Sequence, residues 1–104
     1  MELEISDDNF KEEVLQSGGV FMLDCFAEWC APCKALTPLL SELTEENLIK
    51  LGLVNVDDSP GLAVKLRVTA VPKVVFFKDG KEKDSLLGIH PKSTYQEIIE
   101  KLKG

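Results

Sequence analysis

Apolar and polar positions change their period several times along the chain, and each change marks a candidate element. Leu3 and Ile5 alternate with acidic residues, the pattern of a short strand. Ser6 can cap a helix that carries Asp7 and Asp8 in its first turn, shares Phe10 and Val14 on one face, and stops at Gly18-Gly19. Val20 through Ala27 is almost continuously apolar, which fits a strand covered on both faces. A helical pattern follows, carrying Leu36, Leu39, Leu40 and Leu43. Pro38 lies inside it and predicts a kink, because proline lacks the amide donor and its ring crowds the preceding turn. Leu51 to Val56 reads as a strand, and Ser59-Pro60 as an N-cap and first position of a helix reaching about Leu66. Val74 to Phe77 is a strand, Asp79-Gly80 a hairpin turn, and Leu86-Leu87 part of the returning strand. Tyr95, Ile98, Ile99 and Leu102 line one face of a last helix.

The order β-α-β-α-β, then α, a hairpin and α predicts an α/β domain. Its early strands require parallel crossovers and its hairpin adds antiparallel ones. A mixed central β-sheet flanked by helices on both faces follows; the strand order does not. The 104 residues suit one domain over 1–104, with no repeat, low-complexity tract or linker. A chain of this size buries roughly two-thirds of its unfolded surface, enough for a core without staples.

Composition narrows the function. A formal charge of -6 argues against non-specific binding to nucleic acid or anionic membrane. No apolar run reaches the roughly 18 residues of a membrane span. Met1-Glu2-Leu3-Glu4 offers neither a basic start nor an apolar targeting segment, so the chain reads as cytoplasmic. Three cysteines is an odd count, which argues against a disulfide-stapled secreted domain.

Trp29-Cys30-Ala31-Pro32-Cys33-Lys34 then carries the chemistry. Its two thiols stand at the junction of strand and helix, where they can close a small disulfide ring and reopen it. The helix end favours one of them as a thiolate. An inert buried pair has little packing rationale here. Structural zinc needs four ligands, and only Cys25 and His90 remain, neither placed as a second pair. A cluster bridged between two subunits would need a second chain. Asp24 sits within the apolar strand, where desolvation disfavours its charged form and raises its pKa. Cys25, its neighbour, points to the opposite strand face and reads as a small buried hydrophobe. The pairs Asp7-Asp8 and Asp57-Asp58 read as solvated helix-start and loop positions, with too few convergent ligands for calcium.

With the pair Val71-Pro72, the turn Lys78-Asp79-Gly80-Lys81 and Gly88 beyond it, these residues make the chain resemble the thioredoxin family over essentially its whole length. The resemblance implies the thioredoxin fold and a protein-disulfide oxidoreductase that reduces protein disulfides by dithiol-disulfide exchange. It implies a monomer with no bound cofactor, a reversible Cys30-Cys33 disulfide, and electrons from a thioredoxin reductase or an equivalent donor. In that mechanism Cys30 attacks a target disulfide and Cys33 resolves the mixed disulfide. Asp24 lies beneath Cys33 and accepts its proton. The bond before Pro72 is cis and faces the cysteines, and the backbone of Val71 pairs with the extended target as in strand addition. Trp29, Ala31, Pro32 and Gly88 complete a flat, mostly apolar docking surface. Two rivals stand beside this reading: a disulfide oxidase or isomerase on the same fold, and an interaction module whose redox pair is vestigial.

The chain departs from the family at several positions. Ala31 stands where glycine is usual, with a modest effect expected and a reducing potential on the order of -270 mV. Leu53 stands where many members carry a lysine near the buried Asp, and its absence leaves Asp24 with a higher pKa. Phe26 takes a frequent tryptophan position, losing a hydrogen-bond donor. Lys73 either brings positive charge near Cys30 or points to solvent. Lys34, Leu53 and Lys73 are thus the candidate tuning positions. His90 reads as a surface loop residue without a partner.

Overall fold

A computed structural model describes residues 2–104 of the chain. Its strands are β1 (Glu2–Glu4), β2 (Val20–Phe26), β3 (Lys50–Asn55), β4 (Lys73–Lys78) and β5 (Lys81–Leu87). Its helices are a short turn of π-helix (Lys11–Leu15), α1 (Ala31–Asn47), α2 (Pro60–Lys65) and α3 (Lys92–Lys103). The sheet order is β1-β3-β2-β4-β5. β1, β3 and β2 run parallel, while β4 is antiparallel to β2 and β5 to β4.

The continuous apolar run of β2 explains its central place, since a middle strand of a two-sided sheet must be apolar on both faces. Strand alternation divides its residues between two layers. Met22 packs with Leu36, Leu40 and Leu43 of α1, Tyr95 and Ile99 of α3, and Leu51, Val74 and Phe76 of the neighbouring strands. Phe21, Leu23 and Cys25 pack on the other side with Phe10, Val14, Leu62 and Leu66. That second layer is tight over β3. A Cβ added at Gly52 would lie 2.7 Å from side-chain atoms of both Ile5 and Leu23, so only glycine fits there. Helices therefore cover both faces of a mixed sheet, as the order of elements predicts.

The hairpin forms at Asp79-Gly80, both in the left-handed region (φ 51 and 80), as a two-residue turn between twisted strands requires. Its tip is tied across the molecule. The Gly19 N–H donates to Asp79 Oδ1 (2.7 Å) and the Asp79 N–H to the Gly19 carbonyl (3.0 Å). α1 runs unbroken through Pro38 and ends at Leu48, which is left-handed (φ 57).

Two expectations for the first fifth of the chain are corrected. The helix expected from Ser6 to Gly18 shrinks to Lys11–Leu15, where the Gln16 N–H reaches back five residues to the Lys11 carbonyl (3.1 Å). Asn9 accounts for the loss: its Oδ1 accepts from the Ser6 N–H and its Nδ2 donates to the Glu4 carbonyl, both at 2.8 Å. Such local bonds offer the backbone an alternative to helix. Asp7 also has a partner, because its Oδ1 accepts the Leu62 N–H at 2.7 Å. It caps α2 from a distant segment, while the Ser59 side chain makes no cap bond. Among the described residues no helix is long and apolar enough to cross a membrane.

Candidate active site

β2 ends at Phe26 and the chain turns through buried Ala27, where the Cys30 N–H donates to the Ala27 carbonyl (3.1 Å). Cys30 is the N-cap of α1, with extended backbone (φ -95, ψ 103). Its Sγ accepts the Cys33 N–H at 3.2 Å. Ser, Asp or Asn oxygens normally do this work at a helix start; here sulfur does it. Pro32 occupies the first turn, where a missing amide leaves no bond unmade. Cys30 and Cys33 are joined as a disulfide, with Cα atoms 5.3 Å apart. Both are buried, Cys30 at 4% exposure and Cys33 at 1%, so in the oxidised form the difference between them expected from sequence is small.

Around the pair the surface is apolar and open. Trp29 is 72% exposed, and Ala31 and Pro32 are exposed beside it. The indole N–H of Trp29 donates to Asp57 Oδ2 (3.0 Å), which ties the exposed ring to the loop after β3 and gives Asp57 a partner. Val71 packs against the cluster formed by Ala27, Cys30 and Cys33. The Val71-Pro72 bond is cis, and the Gly88 N–H donates to the Pro72 carbonyl at 2.8 Å. Gly88 is left-handed (φ 80). Trp29, Ala31, Pro32, Val71, Pro72 and Gly88 are thus gathered round one disulfide by three separate segments of chain. His90 is half-buried rather than unpartnered: Nε2 lies 2.9 Å from the Leu87 carbonyl and the ring packs edge-on against Tyr95.

Asp24, on β2, is wholly shielded from solvent. Its cross-strand neighbours are Leu53 on β3 and Val74 on β4. One oxygen, Oδ2, is 2.6 Å from the Thr37 hydroxyl; the other, Oδ1, has no partner among the described residues. The same hydroxyl is 3.1 Å from the Cys33 carbonyl, so one side chain links the buried acid to the first turn of α1. Burial pushes the Asp24 pKa up from 3.8 to about 6; the Thr37 hydrogen bond works against that shift and the charge of Glu2 adds to it. Cys25, on the other face, is pushed up to about 12, first by burial and then by the Asp24 charge. A cavity of about 340 Å³, lined by Cys33, Lys34, Thr37, Pro38, Phe26 and Leu53 among others, opens beside the buried pair.

Lys73 is corrected. Its ammonium donates to the carbonyls of Leu66 (3.0 Å) and Arg67 (3.1 Å) at the end of α2. It stands on the strand face opposite Asp24, held by these carbonyls rather than pointing free into solvent. Leu53 lies opposite Asp24, where a cation is absent. Two residues of the site escaped the sequence reading. Thr37 follows Cys33 by four positions, one turn along the same helix face, and that spacing was its signal. Asp57 offered none beyond being acidic in a loop.

The family model described as Thioredoxin matches residues 2–101. The chain is 40% identical over 100 residues to the M-type chloroplastic thioredoxin of Spinacia oleracea, covering 94% of this chain and 55% of that protein. It is 37% identical over 97 residues to the thioredoxin of Rickettsia bellii, covering 91% and 92% of the two. In three dimensions it superposes on a mutant thioredoxin from Halobacterium salinarum with a TM-score of 0.91 and 26% identity, covering 99% of this chain and 91% of that one.

Proposed function

The chain belongs to the thioredoxin family of protein-disulfide oxidoreductases, and from that premise we propose how its residues divide the work of exchange between Cys30 and Cys33. The observation that carries the reading is the place of the Cys30 sulfur as the N-cap of α1, where it accepts the Cys33 N–H. In the reduced protein the same amide and the positive end of the helix favour Cys30 as a thiolate.

That thiolate attacks one sulfur of a target disulfide. A Cys30–target bond forms, the target S–S bond breaks, and the second target sulfur leaves with the electron pair. Cys33 then gives its proton to Asp24 and attacks the Cys30 sulfur. The mixed bond breaks, the Cys30-Cys33 disulfide forms, and the target departs reduced by two electrons. Trp29, Ala31 and Pro32 supply apolar contact area, while Val71, Pro72 and Gly88 offer backbone to an extended target segment. An external dithiol donor, thioredoxin reductase or its equivalent, restores the pair. The protein works as a monomer without a bound cofactor, in a reducing compartment such as the cytoplasm.

A Cys33→Ser variant should hold targets as stable mixed disulfides through Cys30, and a Cys30→Ser variant should hold none. An equilibrium titration against dithiothreitol should place the couple on the order of -270 mV. A midpoint near those of strong oxidants, on the order of -120 mV, would reverse the direction of electron flow and sink the reductase reading.

A further inference from the structure

Thr37 faces two acceptors with one hydrogen. Its oxygen lies 2.6 Å from Asp24 Oδ2 and 3.1 Å from the Cys33 carbonyl, while a hydroxyl donates only once. When Asp24 is ionised, the hydrogen goes to the carboxylate, because a charge-assisted bond outweighs one to a neutral carbonyl. Its length fits that class. When Asp24 holds a proton the charge assistance is gone, and the hydroxyl is released to the backbone of Cys33.

We infer that Thr37 is a positioning residue for the resolving step: it anchors Asp24 through Oδ2 and leaves Oδ1 as the oxygen that takes the Cys33 proton. The inference rests on the role proposed above for Asp24. Its support is the asymmetry of the carboxylate, with one oxygen held and the other, equally buried, unpaired among the described residues. The residue opposite Asp24 on β3 is Leu53, which offers the carboxylate no charge or hydrogen bond. The remaining titratable groups coupled to Asp24 are Glu2 of β1, Cys25 of β2 and Tyr95 of α3, while β3 and β4 present Leu53 and Val74. Among them Thr37 alone favours the ionised acid.

The test uses Thr37→Val, which keeps the shape and removes the hydrogen, with Thr37→Ser as the conservative control and Thr37→Ala should valine impair folding. The Asp24 carboxyl is titrated by carbon NMR, and resolution of a preformed Cys30 mixed disulfide is timed across pH. Valine should raise the Asp24 midpoint by roughly one to two pH units. Resolution at pH 7 should slow roughly two- to tenfold and recover as pH rises, and serine should restore both readings. An Asp24 midpoint unmoved in the valine and alanine variants overturns the inference, as does a serine variant that behaves like valine. Asp24→Asn is run in parallel. Parental resolution there removes the acid from the mechanism, while the carboxyl titration still decides whether Thr37 holds it.

Discussion

Asp24 and Cys25 are adjacent in sequence, equally shielded from solvent and both titratable, yet they meet opposite fates. On the α1 and α3 side, burial raises Asp24 only to about 6, because the Thr37 hydroxyl opposes it. On the α2 side, burial drives Cys25 to about 12, and the nearby Lys73 ammonium, occupied with helix carbonyls, offsets little of the shift. The first residue can trade a proton near neutral pH; the second is a packing group. Burial alone therefore does not make a catalytic acid. The two start from 3.8 and 9.0, and that gap accounts for most of the distance between about 6 and about 12; the Thr37 hydroxyl, met only on Asp24's face of the strand, adds to it.

The largest test of this contrast is Asp24→Asn. The folded pKa of about 6 lies above the ordinary 3.8, so the folded state binds the proton more tightly than the unfolded chain. Between these values stability falls as pH rises; below about 4 the penalty is absent and above about 6 it is complete, at about 3 kcal/mol. Urea unfolding should therefore show Asp24→Asn more stable than the parent at pH 7 by up to about 3 kcal/mol, with the advantage gone near pH 4. Slower resolution should accompany it. An equal or lower stability at pH 7 would break the comparison at its root.

A smaller change sharpens it. Leu53→Lys places a cation across from Asp24, and a carboxyl titration should find the midpoint lowered by roughly one pH unit, about 1.4 kcal/mol. A midpoint that stays near 6 would mean the ammonium turns to solvent. Cys25→Ala should do least. A loss of about 1 kcal/mol on denaturant unfolding is expected, with disulfide-reduction rates equal to the parent. Any loss of turnover would give the α2 side a chemical role that its packing does not suggest.

The elements whose pattern is local were legible in the sequence. The apolar run ending at Asp24-Cys25-Phe26, the Asp79-Gly80 turn and the Ser59-Pro60 helix start lie where periodicity and turn chemistry put them. The facing of Asp24 and Cys25 follows from alternation alone. What was not legible depends on contacts between distant segments. The strand order, Asp7 on the amide of Leu62 and Asp57 on the indole of Trp29 pair residues whose neighbours in sequence give no hint. The first helix failed for the opposite reason: Asn9 makes short-range bonds that compete with the helical pattern around it.

The rims of the sheet have a consequence for self-association. β1 is three residues long and carries Glu2 and Glu4, and β5 begins Lys81-Glu82-Lys83-Asp84 with all four exposed. Short or charged outer strands are poor templates for pairing with another copy. A protein whose proposed work is to seat extended polypeptide at Val71 thus closes off the two other places where backbone could be captured. Copies of the chain at high concentration are thereby hindered from pairing edge to edge.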